Sequence, residues 1–176
     1  MNADEFVKKL SELAVSMDRE SYFLTEKPAE IPQFDDPLIH LISSYDTSAL
    51  EIGMVRLGCH KYSFEPPSDK ILVGCIESDI LVIDPSTGIV ELLDHEAPTY
   101  VMCICATSGN LFLEALLKLA AFQYPNKDLY GDLSIEKVKE NNDAAYACAV
   151  ECSEIAGVEV EGSIYYTLLG YDPRIS

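Results

Sequence analysis

The chain has 176 residues, 48% of them hydrophobic and 24% charged, enough for one domain with a sizeable core. Thirty Asp and Glu against twelve Lys and Arg leave a net charge of −18, a field that repels nucleic acid and anionic membrane surfaces and speeds encounter with basic partners. No apolar run approaches the ~20 residues that span a bilayer. Met1-Asn-Ala-Asp-Glu-Phe6 lacks the basic-then-apolar order of a secretory signal, so a cytoplasmic protein is expected.

In chain order, residues 4–17 carry Phe6, Val7, Leu10, Leu13, Ala14 and Met17 at helical spacing, which predicts an amphipathic surface helix. Pro28, Pro32 and Pro37 then exclude one continuous regular element. Residues 37–44 suit a short helix with Asp36 as N-cap and Pro37 in the first turn. Residues 52–60 read as a first strand, and 63–69, with Pro66-Pro67, as a loop. Four short apolar runs follow at 70–76, 79–84, 88–93 and 99–105, separated by turn residues, and predict an antiparallel meander. Asp84-Pro-Ser-Thr-Gly88 is the strongest reversal, since Pro sets its own φ and Gly accepts a positive one.

Beyond the meander, Thr107 or Ser108 is placed to cap a helix over 109–123, and Pro125 to stop it. Ser134 opens a second helix running to about Ala156, with Gly157 at its C-cap. Its inner face, Ala145, Ala149, Cys152 and Ala156, is small enough for close approach to a neighbour. Residues 159–170 fit a strand or a terminal helical turn equally well. The expected class is α+β, a single antiparallel β-meander sheet flanked by helices.

Catalytic spacings are missing. His40, His60 and His95 form no H-x-x-x-H pattern, and neither a nucleophile elbow nor a phosphate-binding glycine loop is present. Cys59 and His60 are adjacent in the expected strand, so they would face opposite sides. Cys103 and Cys105 share a strand face, as Cys148 and Cys152 share a helix face, and four thiolates brought together would suit zinc. Their spacing is not that of a zinc knuckle, and burial as small hydrophobes is the preferred reading. His95, after Asp94, reads as a solvated turn histidine. No catalytic residue, metal or cofactor is expected. Asp35-Asp36, Asp79/Asp84 and Asp94/Glu96 are carboxylates that proximity in space would pair, with solvation the default.

The C-terminal third is markedly acidic: Asp128, Asp132, Glu136, Glu140, Asp143, Glu151, Glu154, Glu159 and Glu161 face only Lys127, Lys137 and Lys139. Glu136, Glu140 and Asp143 follow a four–three spacing, sharing a helix face with no lysine interrupting it from the next turn. That negative ridge is the candidate partner-binding site.

The order of Val73-Gly74, Ile80-Leu-Val-Ile-Asp84, Pro85-Ser-Thr-Gly88, Ile89-Val-Glu-Leu-Leu-Asp94 and a helix with Leu111-Phe-Leu-Glu-Ala-Leu116 resembles the SUKH superfamily. It is most similar to the fourth SUKH group of bacterial toxin-immunity proteins, and Tyr22-Phe-Leu-Thr-Glu-Lys-Pro28 resembles that group's early leucine-rich segment ending in proline. The likeness covers residues 20–122, so the chain reads as one SUKH-like domain, 1–176, with an acidic helical extension from about 126. The resemblance implies a non-enzymatic protein that binds and neutralises a cognate polymorphic toxin, frequently a nuclease, in the producer's cytoplasm. It also leaves open a regulatory or adaptor domain on the same fold. The expected partner is a basic protein domain, with neither nucleic acid nor membrane bound, and an enzyme using the cysteines or carboxylates is the third reading.

Overall fold

The computed structural model describes residues 1–17, 20–28, 35–58, 65–123 and 134–175. Helix α1 (Ala3–Met17) buries Ala3, Phe6, Leu10 and Ala14 on one stripe, as its apolar spacing predicts. A two-residue pair, β1 (Thr25–Glu26) with β2 (Tyr45–Asp46), brackets α2 (Pro37–Ser44). Asp36 caps α2 through Oδ1, which accepts from the Leu38 and Ile39 N–H groups at 2.8 and 3.2 Å.

Six strands then form one antiparallel meander in sequence order: β3 (Glu51–Ile52), β4 (Val55–Leu57), β5 (Ile71–Ile76), β6 (Asp79–Ile83), β7 (Val90–Leu93) and β8 (Val101–Ala106). The expected α+β class and antiparallel meander are present. Two expectations need correction. The sheet is accompanied by the small β1–β2 pair, so there are two sheets among the described residues. The single strand read over 52–60 is a hairpin at its start: Gly53 takes φ 62° and reverses the chain, so that Glu51 faces Arg56 and Ile52 faces Val55. Cys59 and His60 lie outside the described residues.

The Asp84–Gly88 reversal forms as expected. The Asp84 carbonyl accepts from Thr87 and Gly88, its carboxylate accepts from the Ser86 N–H and hydroxyl, and Gly88 sits at φ 78°. Strand alternation divides the sheet's side chains between two faces. Leu81, Ile83, Val90, Leu92 and Cys105 enter the main core under the helices, while Ile80, Val82 and Leu93 form a separate cluster with Leu72. Glu91 lies opposite Val82, and its carboxylate and that of Asp84 hold the Lys70 ammonium at 2.9 and 3.0 Å. That clamp joins β5, β6 and β7, and the carboxylate of Glu91, then that of Asp84, raise the Lys70 pKa above its ordinary value.

Helix α3 (Gly109–Gln123) is the central column, with Phe112, Leu113, Ala115, Leu116, Leu119 and Ala120 all buried. More than one stripe is covered because α3 meets α1, α2, α4 and the sheet. Ser108 stands at its N-terminus, its carbonyl accepting from Phe112 N–H while its hydroxyl donates to Asn110 Oδ1. Gly109 has no room for a side chain, since a Cβ there would lie 2.3 Å from Asp36 Oδ1. Thus the cap of α2 also sits against the start of α3.

Helix α4 (Ile135–Ala156) begins at the Ser134 N-cap and ends at Gly157 in the left-handed region, as the sequence predicts. Its small inner face is fully used: Ala145, Cys148, Ala149, Cys152 and Ala156 are buried in the main core. The ambiguous 159–170 segment is helical over α5 (Ile164–Leu169), with Ser163 as N-cap and Gly170 as left-handed C-cap, which rejects the strand alternative. Both caps satisfy backbone groups that a strand would have needed a partner strand to satisfy.

Candidate protein-binding surface

The predicted ridge lies on the outer side of α4, where Glu136, Glu140 and Asp143 are all exposed. Four–three spacing puts them on one face, and the burial of the opposite Ala/Cys stripe against α3 fixes that face outward. The ridge is less purely anionic than its spacing predicts. Lys137 Nζ reaches forward to Glu140 Oε2 at 2.9 Å, because residues three apart are neighbours on a helix surface. Glu140 keeps 68% of its side chain exposed, so the pair is a surface ion pair and contributes little. Farther along, Glu151 is paired with Lys118 of α3, whereas Glu154 is exposed.

Beside this ridge lies a feature the sequence reading missed. Tyr146, one helical turn beyond Asp143, meets Tyr166 and Tyr171 with ring centroids 5.7 and 5.2 Å away, and Tyr166 and Tyr171 are themselves 5.2 Å apart. All three pairs are tilted, at centroid separations within the range of attractive aromatic contacts. Burial, then the neighbouring Tyr146, raises the Tyr166 phenol pKa.

The cluster is assembled by two local devices. The caps of α5 set Tyr166, and buried Asn142 fastens the following segment, donating to the Asp172 carbonyl at 3.0 Å and accepting from its N–H at 2.8 Å. Tyr146 remains 45% exposed, so a rigid aromatic surface borders the carboxylates. The sequence signal was Tyr165-Tyr166 and Tyr171 near the C-terminus, but nothing in spacing connects them to a helix twenty residues earlier.

The other candidates separate. Cys103 and Cys105 both turn toward the main core, and Cys148 and Cys152 lie with sulfurs 4.0 Å apart beneath α3, where the Cys152 thiol donates to the Ala115 carbonyl. The hydrogen bond to Cys148, and then burial, push the Cys152 thiol up. These four cysteines do not gather into one set; among the described residues the ligand-type atoms that do cluster are the three of Asp79, Asp94 and His95. Asp79 opens β6 and Asp84 follows its far end, so these two carboxylates do not meet. Asp94 accepts from the Glu96 N–H instead of meeting its carboxylate, and Asp36 is a helix cap.

His95 is not merely solvated. Its Nδ1 lies 2.8 Å from Asp79 Oδ1, which pins the β7–β8 turn to the start of β6 and raises the imidazole pKa above its ordinary 6.5. A histidine whose folded pKa is raised stabilises fully below its unfolded value and loses that contribution as pH rises through the folded value. NMR titration should therefore place His95 above 6.5, and Asp79→Asn should return it toward that value while removing this part of the pH dependence of stability.

Family models, characterised proteins and solved structures were compared with the chain, and none matches. No helix among the described residues is long and apolar enough to cross a membrane. The surface thus stands on its own geometry: carboxylates, a tyrosine cluster and a well-packed helix that presents both.

Proposed function

We propose that this chain is a non-enzymatic immunity protein of SUKH type, acting in the cytoplasm, that neutralises a cognate polymorphic toxin by covering its basic active-site cleft. The observation that carries this reading is the adjacency of exposed Glu136, Glu140 and Asp143 to the Tyr146–Tyr166–Tyr171 cluster on a chain of net charge −18. Carboxylates steer a basic partner and set the register, while tyrosines supply contact area at little conformational cost. A nuclease toxin presents a cationic cleft, and the ridge occupies it as the phosphates of its substrate would. Helix α3, packed between the meander and α4, then serves as the support of the ridge, and the meander is a scaffold, not a source of chemistry.

The test is co-expression with the C-terminal domain of a large toxin-like gene adjoining this one. Growth rescue is expected. Glu136→Lys, Glu140→Lys and Asp143→Lys together should weaken binding by at least about tenfold, chiefly through slower, less salt-dependent association. Tyr146→Ala should weaken it comparably by faster dissociation. Continued killing with soluble, folded protein present overturns the pairing, and rescue that survives the triple reversal removes the ridge from it.

A further inference from the structure

The two margins of the six-stranded sheet differ. At one margin β3 has only two residues, of which Glu51 is exposed and ion-paired with Arg56, so this edge is short and charged. Those are the usual protections against pairing with another chain. At the other margin β8 has six residues, Val-Met-Cys-Ile-Cys-Ala, with no charge and no proline. Val101, Met102 and Ile104 are 41, 47 and 46% exposed, and Tyr100 before them is 62% exposed. Among the described residues no strand pairs with the outer side of β8.

A groove of about 390 Å³ runs beside this edge. Cys103 and Ile104 both line it, although neighbouring strand residues point to opposite faces, so the groove follows the margin of the sheet and not one of its surfaces. Its far wall is the α4–α5 connection, from Gly157 to Ser163, which includes Glu159 and Glu161. Among the described residues no lysine or arginine lines it. The protein itself closes the far end of β8: Tyr165 Oη donates to the Cys105 carbonyl at 3.0 Å, and Thr107 N–H donates to the Ala156 carbonyl at 2.9 Å. Among the described residues, the stretch from Val101 to Ile104 is left as open edge.

We propose that this groove receives an extended, lysine- or arginine-bearing segment of another protein, which adds to β8 as a further strand. Main-chain hydrogen bonds to the edge hold the segment, its apolar side chains cover Met102 and Ile104, and its cations meet Glu159 and Glu161. A second copy of this chain fits poorly, because it would bring its own Glu159 and Glu161 and a net charge of −18 to the same groove. The site is separate from the α4 ridge and holds for any cationic partner, toxin or not.

The probe is a blocked peptide of alternating lysine and valine, added to the isotope-labelled full chain. Amides of residues 101–104 should shift in NMR spectra, and their hydrogen exchange should slow by at least about tenfold. The same peptide N-methylated at alternate residues should bind at least about tenfold more weakly, because its strand hydrogen bonds are gone. Glu159→Lys with Glu161→Lys should weaken binding by a similar factor, both side chains being exposed so that the fold is kept. Binding indifferent to N-methylation, shifts confined to Glu136, Glu140 and Asp143, or no binding at millimolar peptide each overturn the proposal. So does a dimer of the free protein in sedimentation that Ile104→Lys dissolves, which would assign the edge to a second copy.

Discussion

Gly74→Ala should cost about 3 kcal/mol, one of the largest effects of any single-methyl change in this protein. Gly74 lies in β5 at the register shift that begins at Leu72, with the backbone of β4 alongside. A Cβ placed there would be 2.2 Å from the Arg56 carbonyl oxygen and 3.1 Å from the Leu57 Cα. Both are main-chain atoms, so no rotamer change relieves the contact and β4 itself must move. That movement breaks the β4–β5 pairing and lifts Val55 and Leu57, which are 1 and 2% exposed, from the core. Urea unfolding should show the loss, together with a fall in melting temperature of about 6–12 °C for a chain of this size. Gly162→Ala is the control: its φ is 78°, but no atom of the described residues lies within 4 Å of the added carbon. Its cost should be only about 1 kcal/mol, from backbone conformation alone.

Tyr165→Ala should destabilise by about 3–5 kcal/mol, the range for emptying a buried aromatic site. Tyr165, on the inner side of α5, is fully buried, and its hydroxyl donates to the Cys105 carbonyl, sixty residues earlier in the chain. The ring fills the core between α5 and β8, and burial holds the phenol pKa well above its ordinary value. Tyr165→Phe separates the two contributions. It keeps the packing and leaves the Cys105 carbonyl without its partner, at about 1–2 kcal/mol. Hydrogen exchange near Cys105 should quicken in the Phe variant while α1 is unaffected, which locates the loss at the closed end of β8.

How much was legible in the sequence depends on how far each signal reaches along the chain. Asp36 before Pro37, Ser134 before α4 and Gly157 after it act within one helical turn, and each appears where its residue type predicts. The Asp84–Gly88 reversal is equally local. The small inner face of α4 was legible because helical periodicity puts residues 145, 149, 152 and 156 together whatever the helix then meets. The first strand was misread because Gly53 permits a reversal without requiring one, and apolar content continues on both sides of it. Of the candidate surface, the three carboxylates were legible as a face, but the Lys137–Glu140 pair was not, since a flexible side chain chooses among several neighbours.

By itself the sequence determined helices α1 to α4, the meander and the acidic balance, all of which follow from residues a few positions apart. Only the tertiary structure decided the rest. Tyr146, Tyr166 and Tyr171 meet because Asn142 fastens the chain end to α4. Gly109 must be glycine because Asp36 arrives against it from another helix. β8 is a margin of the sheet because no described strand lies beyond it, whereas its apolar sequence would suit a central strand equally well. Each is a meeting of segments far apart in the chain, and such meetings are selected by the packing of the whole core, not by local propensity.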